Sequence, residues 1–245
     1  MSTPLTTSIA LCTYNGERFL QAQLDSLPDQ IVAFDDASQD ETWMILEAFA
    51  QQARQRGIQV LLRRQPVNVG YVRNFEAALA ECSGEIVFLC DQDDVWHPDR
   101  LARGVEFLSH QRGAAIYAGR TTVCDEQLKP LAPSPHFHGP FRFRNALIQA
   151  CLPGNTILAN HFAVELLQAA APAAIAAGVV SHDWWAYQLL SGAGAAIMRT
   201  AIVASNVNRP KGSLEDGPRH WQLQASDQAS KAADYLPTIV AWKND

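Results

Sequence analysis

The sequence predicts an α/β protein: a mainly parallel sheet flanked by helices, with a less regular C-terminal region. Three observations carry that expectation. Short apolar runs alternate with stretches of helical periodicity through the first hundred residues. Several runs are apolar throughout, as strands covered on both faces are. Each run ends in a polar cluster, and open α/β sheets bind ligands beyond the carboxyl ends of their strands.

Ser8 to Cys12 reads as the first strand and Glu17 to Leu27 as the first helix. Ile31 to Phe34 is the next strand. Ser38-Gln-Asp-Glu41 has the capping-box pattern that opens a helix. Trp43, Leu46, Ala50 and Ala53 then repeat at helical spacing, with Ile45 and Phe49 widening the stripe. Ile58 to Leu62 is a third strand, and a helix bearing Phe75, Ala78 and Leu79 follows. Glu85 to Cys90 is a fourth strand. Pro98 suits the first turn of a helix whose face carries Leu101, Val105 and Leu108. Strand–helix alternation of this kind gives parallel pairing with helices on both faces.

The fourth strand ends in Asp91-Gln-Asp93-Asp94. In extended chain alternate side chains share a face, so Asp91 and Asp93 are expected to point the same way. Two like charges that close repel, and one tends to stay protonated. A divalent cation removes the conflict, and Mg²⁺ or Mn²⁺ often joins one or two carboxylates to a substrate's phosphates. Turn formation and helix capping are the plainer reading of such clusters. An EF-hand is excluded, because the required Gly and closing Glu are Trp96 and Ala102.

The other strand exits carry Thr13-Tyr14-Asn15-Gly16, Asp35-Asp36-Ala37-Ser38 and Asn68-Val69-Gly70 with Arg73. Together these suit a nucleotide diphosphate. Tyr14 can stack on a base, a carboxylate can accept from a base N–H or ribose hydroxyl, and Arg and a metal can neutralise phosphate. Each also has a plainer role: Asp36 and Ser38 as turn and cap, Arg73 as a solvated helix residue. Convergence on one sheet edge favours the site.

Composition bounds the rest. The chain has 245 residues, 48% hydrophobic and 18% charged, which suits a globular protein. A net charge of -6 argues against broad nucleic-acid binding. No basic segment followed by an apolar stretch opens the chain, so no signal peptide is expected. The apolar tract Ala169 to Val180 is broken by Pro172 and too short to span a bilayer. The five cysteines contain no Cys-x-x-Cys pair and read as reduced thiols of a cytoplasmic protein.

Four blocks carry a resemblance: Thr13–Gly16, Asp35–Thr42, Asn68–Asn74 and Cys90–Leu101. In order and spacing they resemble the signature blocks of glycosyltransferase family 2, over roughly the first 110 residues. Within it they look most like bacterial rhamnosyltransferase-type enzymes of surface-polysaccharide assembly. The resemblance implies the GT-A fold, a nucleotide-sugar donor and inversion at the anomeric carbon. Carried over, Thr13, Tyr14 and Asp36 would hold base and ribose, with Asn15 and Asn68 in the same cofactor-binding loops. Arg73 would flank the base. Asp91 would approach ribose or metal, and Asp93 would bind Mg²⁺ or Mn²⁺. Pro153–Ile157, with a helix from Ala159, resembles the floor of the sugar pocket. Ser181-His-Asp183-Trp184-Trp185 resembles the catalytic-base block, with Asp183 as base and the tryptophans available to stack on sugar faces, one of them expected in the core. Asp183 as a helix cap is the plainer role.

On this reading 1–112 is the nucleotide-sugar-binding half, 113–218 the acceptor-binding and catalytic-base half, and 219–245 a helical tail. The acceptor would be a saccharide or lipid-linked saccharide, met at the cytoplasmic face of the inner membrane. One departure stands out. Many relatives carry an aromatic-Arg-Gln-His run after the base block, where this chain has Val203–Gly212. Arg209, Lys211 or His220 could take over there, or metal binding is weakened. Two other functions compete: a haloacid-dehalogenase-like phosphatase with Asp91 as nucleophile, and a nucleotide-sugar-binding protein of weakened activity.

Overall fold

The computed structural model describes residues 5–27, 30–125, 127–179 and 181–207. The first half alternates as the sequence predicts: β1 (Thr7–Thr13), α1 (Glu17–Asp25), β2 (Ile31–Asp35), α2 (Thr42–Gln55), β3 (Val60–Arg64), α3 (Tyr71–Ala80) and β4 (Ile86–Cys90). Then come a short β5 (Asp94–Trp96), α4 (Arg100–Ser109), the long β6 (Ala115–Cys124), β7 (Pro130–Pro133) and α5 (Phe143–Ala146). A 3-10 turn at Gly154–Thr156 leads to β8 (Leu158–Asn160), α6 (His161–Ala176), α7 (His182–Gly192) and β9 (Ala196–Val207).

The nine strands form one sheet in the order β3-β2-β1-β4-β8-β6-β9-β5, with β7 on β6. β3, β2, β1 and β4 are mutually parallel. β8 enters antiparallel between β4 and β6. The chain thus reverses its strand order beside β1, which opens a crevice between the exits of β1 and β4.

Alternation along each strand fills two cores. Ile9, Leu11, Phe88 and Tyr117 pack on the side of α1, α2 and α4. Ala10, Cys12, Leu89 and Ile116 pack on the side of α3, α6 and α7. β1, β2 and β4 are buried almost end to end, which is why their sequences are continuous apolar runs. All five cysteines are free thiols. Among the described residues no helix is long and apolar enough to cross a membrane.

Several local expectations need correction. Ser38 does not cap α2. The helix starts at Thr42, whose N–H donates to Asp40 Oδ1 at 3.0 Å. Ser38 turns back to Asp35 instead. The helix expected from Ala159 begins at His161, because Leu158–Asn160 is drawn into the sheet and Asn160 caps the helix through Ala163 N–H at 3.1 Å. Pro98 and Asp99 form the turn before α4 rather than its first turn.

Candidate active site

β4 ends at Cys90, and Asp91 to Asp93 turn rather than extend. The expectation that Asp91 and Asp93 share a face by strand alternation therefore does not hold. The turn instead brings the charges of Asp94, Asp93 and Asp183 to bear on Asp91. Burial pushes the Asp91 carboxyl well above the usual carboxylate range, and Asp94, Asp93 and Asp183 push it the same way. Arg100 opposes them from below. Its side chain is fully buried, with Nη2 donating to Asn155 O at 2.6 Å and the guanidinium 3.8 Å from the Trp96 ring centroid. Burial lowers Arg100 to about 10, against the pull of the Cys90, Asp94 and Asp91 charges.

The β1 exit is tied to this turn by one side chain. The Gln92 amide accepts from Tyr14 N–H at 2.8 Å and donates to Tyr14 C=O at 3.0 Å. A Cβ on residue 16 would lie 2.2 Å from Gln92 Oε1, so Gly16 is what lets the amide in. With its backbone held, Tyr14 presents a ring that is 44% exposed beside the crevice. Asn15, in left-handed backbone with φ 47°, donates its N–H to Ser38 Oγ and accepts from Gln39 N–H.

The paired aspartates of the β2 exit divide the work. Asp35 is fully buried and accepts from Thr13 Oγ1 at 3.0 Å and Ser38 N–H at 3.0 Å, with Arg64 Nε 3.4 Å away. It is the strut that holds three strand ends together. Asp36 spends both carboxylate oxygens on the N–H groups of Val69 and Gly70, at 2.7 and 2.9 Å. Asn68 Nδ2 closes the same loop on Asp36 C=O at 3.3 Å. The turn role of Asp36 is therefore real, and it places the 68–70 loop and α3. Arg73 is exposed one turn into α3, with Glu76 in its field.

Asp183 lies in the first turn of α7, whose N-cap is Ser181. Its Oδ2 accepts from Gly154 N–H at 3.1 Å, and its Oδ1 accepts from Trp184 N–H at 2.8 Å and from Ser181 Oγ. A Cβ on residue 154 would meet His182 Nε2 at 2.8 Å and Asp183 Cβ at 3.1 Å, so only glycine admits this approach. The stacking expected of the tryptophans is not found. Trp184 and Trp185 are 5% and 6% exposed, and Trp184 Nε1 donates to Ala146 C=O at 2.6 Å. Both are core.

Three residues here escaped the sequence reading. Gln92 and Arg100 act through partners distant in sequence. Tyr71 opens α3 and is pushed up to about 12 by burial and by the charges of Asp183 and Asp91, so its hydroxyl shares their space. The only available signal for Tyr71 was its position inside the Asn68–Asn74 block.

Among the described residues no group of three or more His, Cys, Asp or Glu forms a ready ligand set. Asp91 and Asp93 still suit a hard cation that completes its shell with water and substrate phosphate. The like-charge conflict at Asp91 is what such a cation relieves. Arg209, Lys211, His220 and the tail from Trp221 lie outside the described residues.

The Glycosyl transferase family 2 profile matches residues 8–167. The chain belongs to that family. Its fold agrees with GT-A glycosyltransferases of known structure. Mannosyltransferase PcManGT from Pyrobaculum calidifontis, in complex with GDP-Man and Mn²⁺, aligns at TM-score 0.64 and 18% identity, over 98% of this chain and 74% of its own. Glucosyl-3-phosphoglycerate synthase from Mycobacterium tuberculosis, with Mg²⁺ and UDP, aligns at 0.59 and 20%, over 94% and 80%. S. aureus TarS 1-349, with UDP-GlcNAc, aligns at 0.59 and 14%, over 96% and 72%. A 47-residue stretch is 47% identical to multidrug resistance protein MdtC of Shigella flexneri and of Escherichia coli. It covers 19% of this chain and 5% of MdtC, too little of either to assign a family. In the family-2 chain the phosphatase alternative falls away, since Asp91 follows the fourth strand and not the first.

Proposed function

We propose that the chain transfers a sugar, a deoxyhexose such as rhamnose, from a nucleotide diphosphate to a saccharide or lipid-linked saccharide, with inversion. The observation that carries this is the meeting of Asp183 with the acid turn. Asp183 comes from the second half of the chain and is bound to Gly154, yet its charge is felt at Asp91 at the β4 exit. One crevice thus offers an exposed aromatic for a base, carboxylates for ribose and metal, and a separate carboxylate for a proton.

In this reading residues 1–112 hold the donor. Tyr14 stacks on the base, and Thr13, Asn15, Asp36 and Asn68 shape the loops around base and ribose. Arg73 faces the base from α3. Asp93 and Asp91 would hold Mg²⁺ or Mn²⁺. The GDP-Man and Mn²⁺ of PcManGT, and the Mg²⁺ and UDP of the mycobacterial synthase, support that choice of partners. When bound, the cation would supply charge neutralisation for the departing diphosphate.

Residues 113–218 receive the acceptor. Its hydroxyl oxygen attacks the anomeric carbon from the face opposite the diphosphate. The bond to the diphosphate breaks, the electron pair leaves with the phosphate oxygen, and Asp183 takes the hydroxyl proton. An ionised carboxylate accepts at about four positions. Asp183 has three donors on it, so a position remains for the acceptor hydroxyl. Those donors fix its orientation, which is what a general base needs.

Incubating the protein with a panel of nucleotide sugars, Mn²⁺ and candidate acceptors tests the reading. Release of nucleotide diphosphate that depends on sugar and acceptor is the expected result. Tight nucleotide-sugar binding without turnover would favour a binding protein of weakened activity.

A further inference from the structure

We propose that the acceptor carries an anionic group, phosphate or carboxylate, and that Arg120, Arg199, His136 and His138 bind it. This deepens the glycosyl-transfer reading above and rests on it.

Arg120 lies on β6 and Arg199 on its parallel neighbour β9, where Arg199 pairs with Ala118. Both guanidinium groups hold the 134–138 loop through neutral carbonyls. Arg120 Nε donates to Ser134 C=O at 3.1 Å and its Nη2 donates to the same oxygen. Arg199 Nη2 donates to Pro135 C=O at 2.8 Å and Nη1 to Phe137 C=O at 3.4 Å. That loop presents two imidazoles, stacked with centroids 4.3 Å apart, and Arg120 Nη1 lies 3.5 Å from His136 Nδ1.

Among the described residues no acid faces this group. Ion pairs join Arg64 to Asp35 and Arg103 to Asp99, away from it. The titratable groups that act on His136 are His138, Arg120 and Arg199, all basic residues. Arg199 Nε is buried and makes no hydrogen bond. Two arginines and two histidines gathered with no acid among their described neighbours, in a chain of net charge -6, form a site that an anion completes. The planar guanidinium fork matches phosphate and carboxylate oxygens.

Its position suits an acceptor. β4 and β6 both run antiparallel to β8, and Leu158 pairs with both Phe88 and Tyr117. Phe88 and Tyr117 thus stand at one level on either side of β8, roughly 10 Å apart, and Asp91 and Arg120 each follow three residues later. The catalytic-base side is adjacent: Asp183 accepts from Gly154 N–H, and Thr156, at the end of the same turn, donates Oγ1 to Pro153 C=O at 2.8 Å with Gly119 C=O 3.4 Å away. An anion held by the arginines lies on the Asp183 side of the crevice and away from the nucleotide loops.

Titration calorimetry on the full chain, saturated with Mn²⁺ and the tighter-binding of UDP and GDP, tests this. The probes are glucose 6-phosphate, glucuronate and glucose. Binding of either charged probe well above glucose is expected, with phosphate or carboxylate identified by which binds more tightly. Arg120→Gln and Arg199→Gln should each weaken it about tenfold or more. Because both side chains also hold the loop, His138→Glu is the companion variant. It adds a repelling charge without touching the guanidinium–carbonyl bonds, and should weaken the charged probe several-fold at unchanged melting temperature. Equal binding of all three probes, no binding at all, or variants with unchanged affinity would overturn the inference. Nucleotide affinity in the same samples reports on the donor site separately: its loss would overturn the transfer reading instead.

Discussion

The Asp183 carboxylate ties Gly154 to the first turn of α7, and the base role proposed for it separates experimentally from that structural one. Asp183→Asn keeps an oxygen for Trp184 N–H but offers Gly154 N–H an amide nitrogen, which cannot accept. One hydrogen bond of about 1 kcal/mol is lost, worth roughly 2–4 °C in melting temperature. Without a proton acceptor kcat should fall by about 10²-fold or more while donor affinity holds. If kcat survives and only the melting temperature falls, Asp183 is a cap. His182, next to it, bears on pH. Its ring stacks on Phe75 at 4.3 Å, both ring nitrogens are buried without a hydrogen-bond partner, and burial lowers its pKa against the opposing pull of Asp183. The unfolded chain then takes up this proton at higher pH than the folded one. Stability from the neutral ring is complete above about pH 6.5 and declines as pH falls below it. The melting temperature of the wild type should therefore drop more steeply between pH 8 and 5.5 than that of His182→Phe. Superimposable slopes would show that the ring contributes nothing.

Between elements, the crevice is held by loop-to-loop contacts rather than by helices or strands. The Gln92 amide fixes the Tyr14 loop against the acid turn, and Gly16 makes room for it. Gln92→Met keeps the length and removes both hydrogen bonds, and should weaken nucleotide binding about tenfold. Gly16→Ala forces the amide aside and should do the same. The double variant should be little worse than either single one, because both break one contact; fully additive losses would separate the two residues. This is also where the sequence stopped being readable. The strands were legible as apolar runs, and their polar exits as Thr13, Asp36, Asn68 and Asp91, because those signals are local. Gln92 and Tyr14 are 78 positions apart, and Arg100 reaches the carbonyl of Asn155, 55 positions on. No periodicity encodes such pairs. Ser38 was misread because a capping pattern looks the same whether the side chain serves the helix or the strand end behind it. One of the two tryptophans was expected in the core and both are there, because α7 is buried from Trp184 through Leu190.

For the molecule as a whole, ligand binding should appear as stability. A nucleotide diphosphate at one hundred times its dissociation constant adds about 2.7 kcal/mol, or roughly 5–10 °C for a chain of this size. With Mg²⁺ or Mn²⁺ the same nucleotide concentration should raise the melting temperature further. Asp93→Ala should abolish that metal-dependent part and leave the metal-free shift in place. Equal shifts in chelator and in metal would remove the cation from the site.

β5 bears Asp94, and its described sheet partner is the far end of β9, where Asp94 pairs with Asn206 and Trp96 with Ala204. The acid turn is thus braced by chain made more than a hundred residues later. On a ribosome adding about 5–20 residues per second, the nucleotide loops are complete roughly 5–20 s before that brace emerges. During this interval the nascent chain holds the residues proposed to bind the donor without the strand that pairs with β5. The order of synthesis therefore delays a finished crevice until the last strand of the sheet has docked.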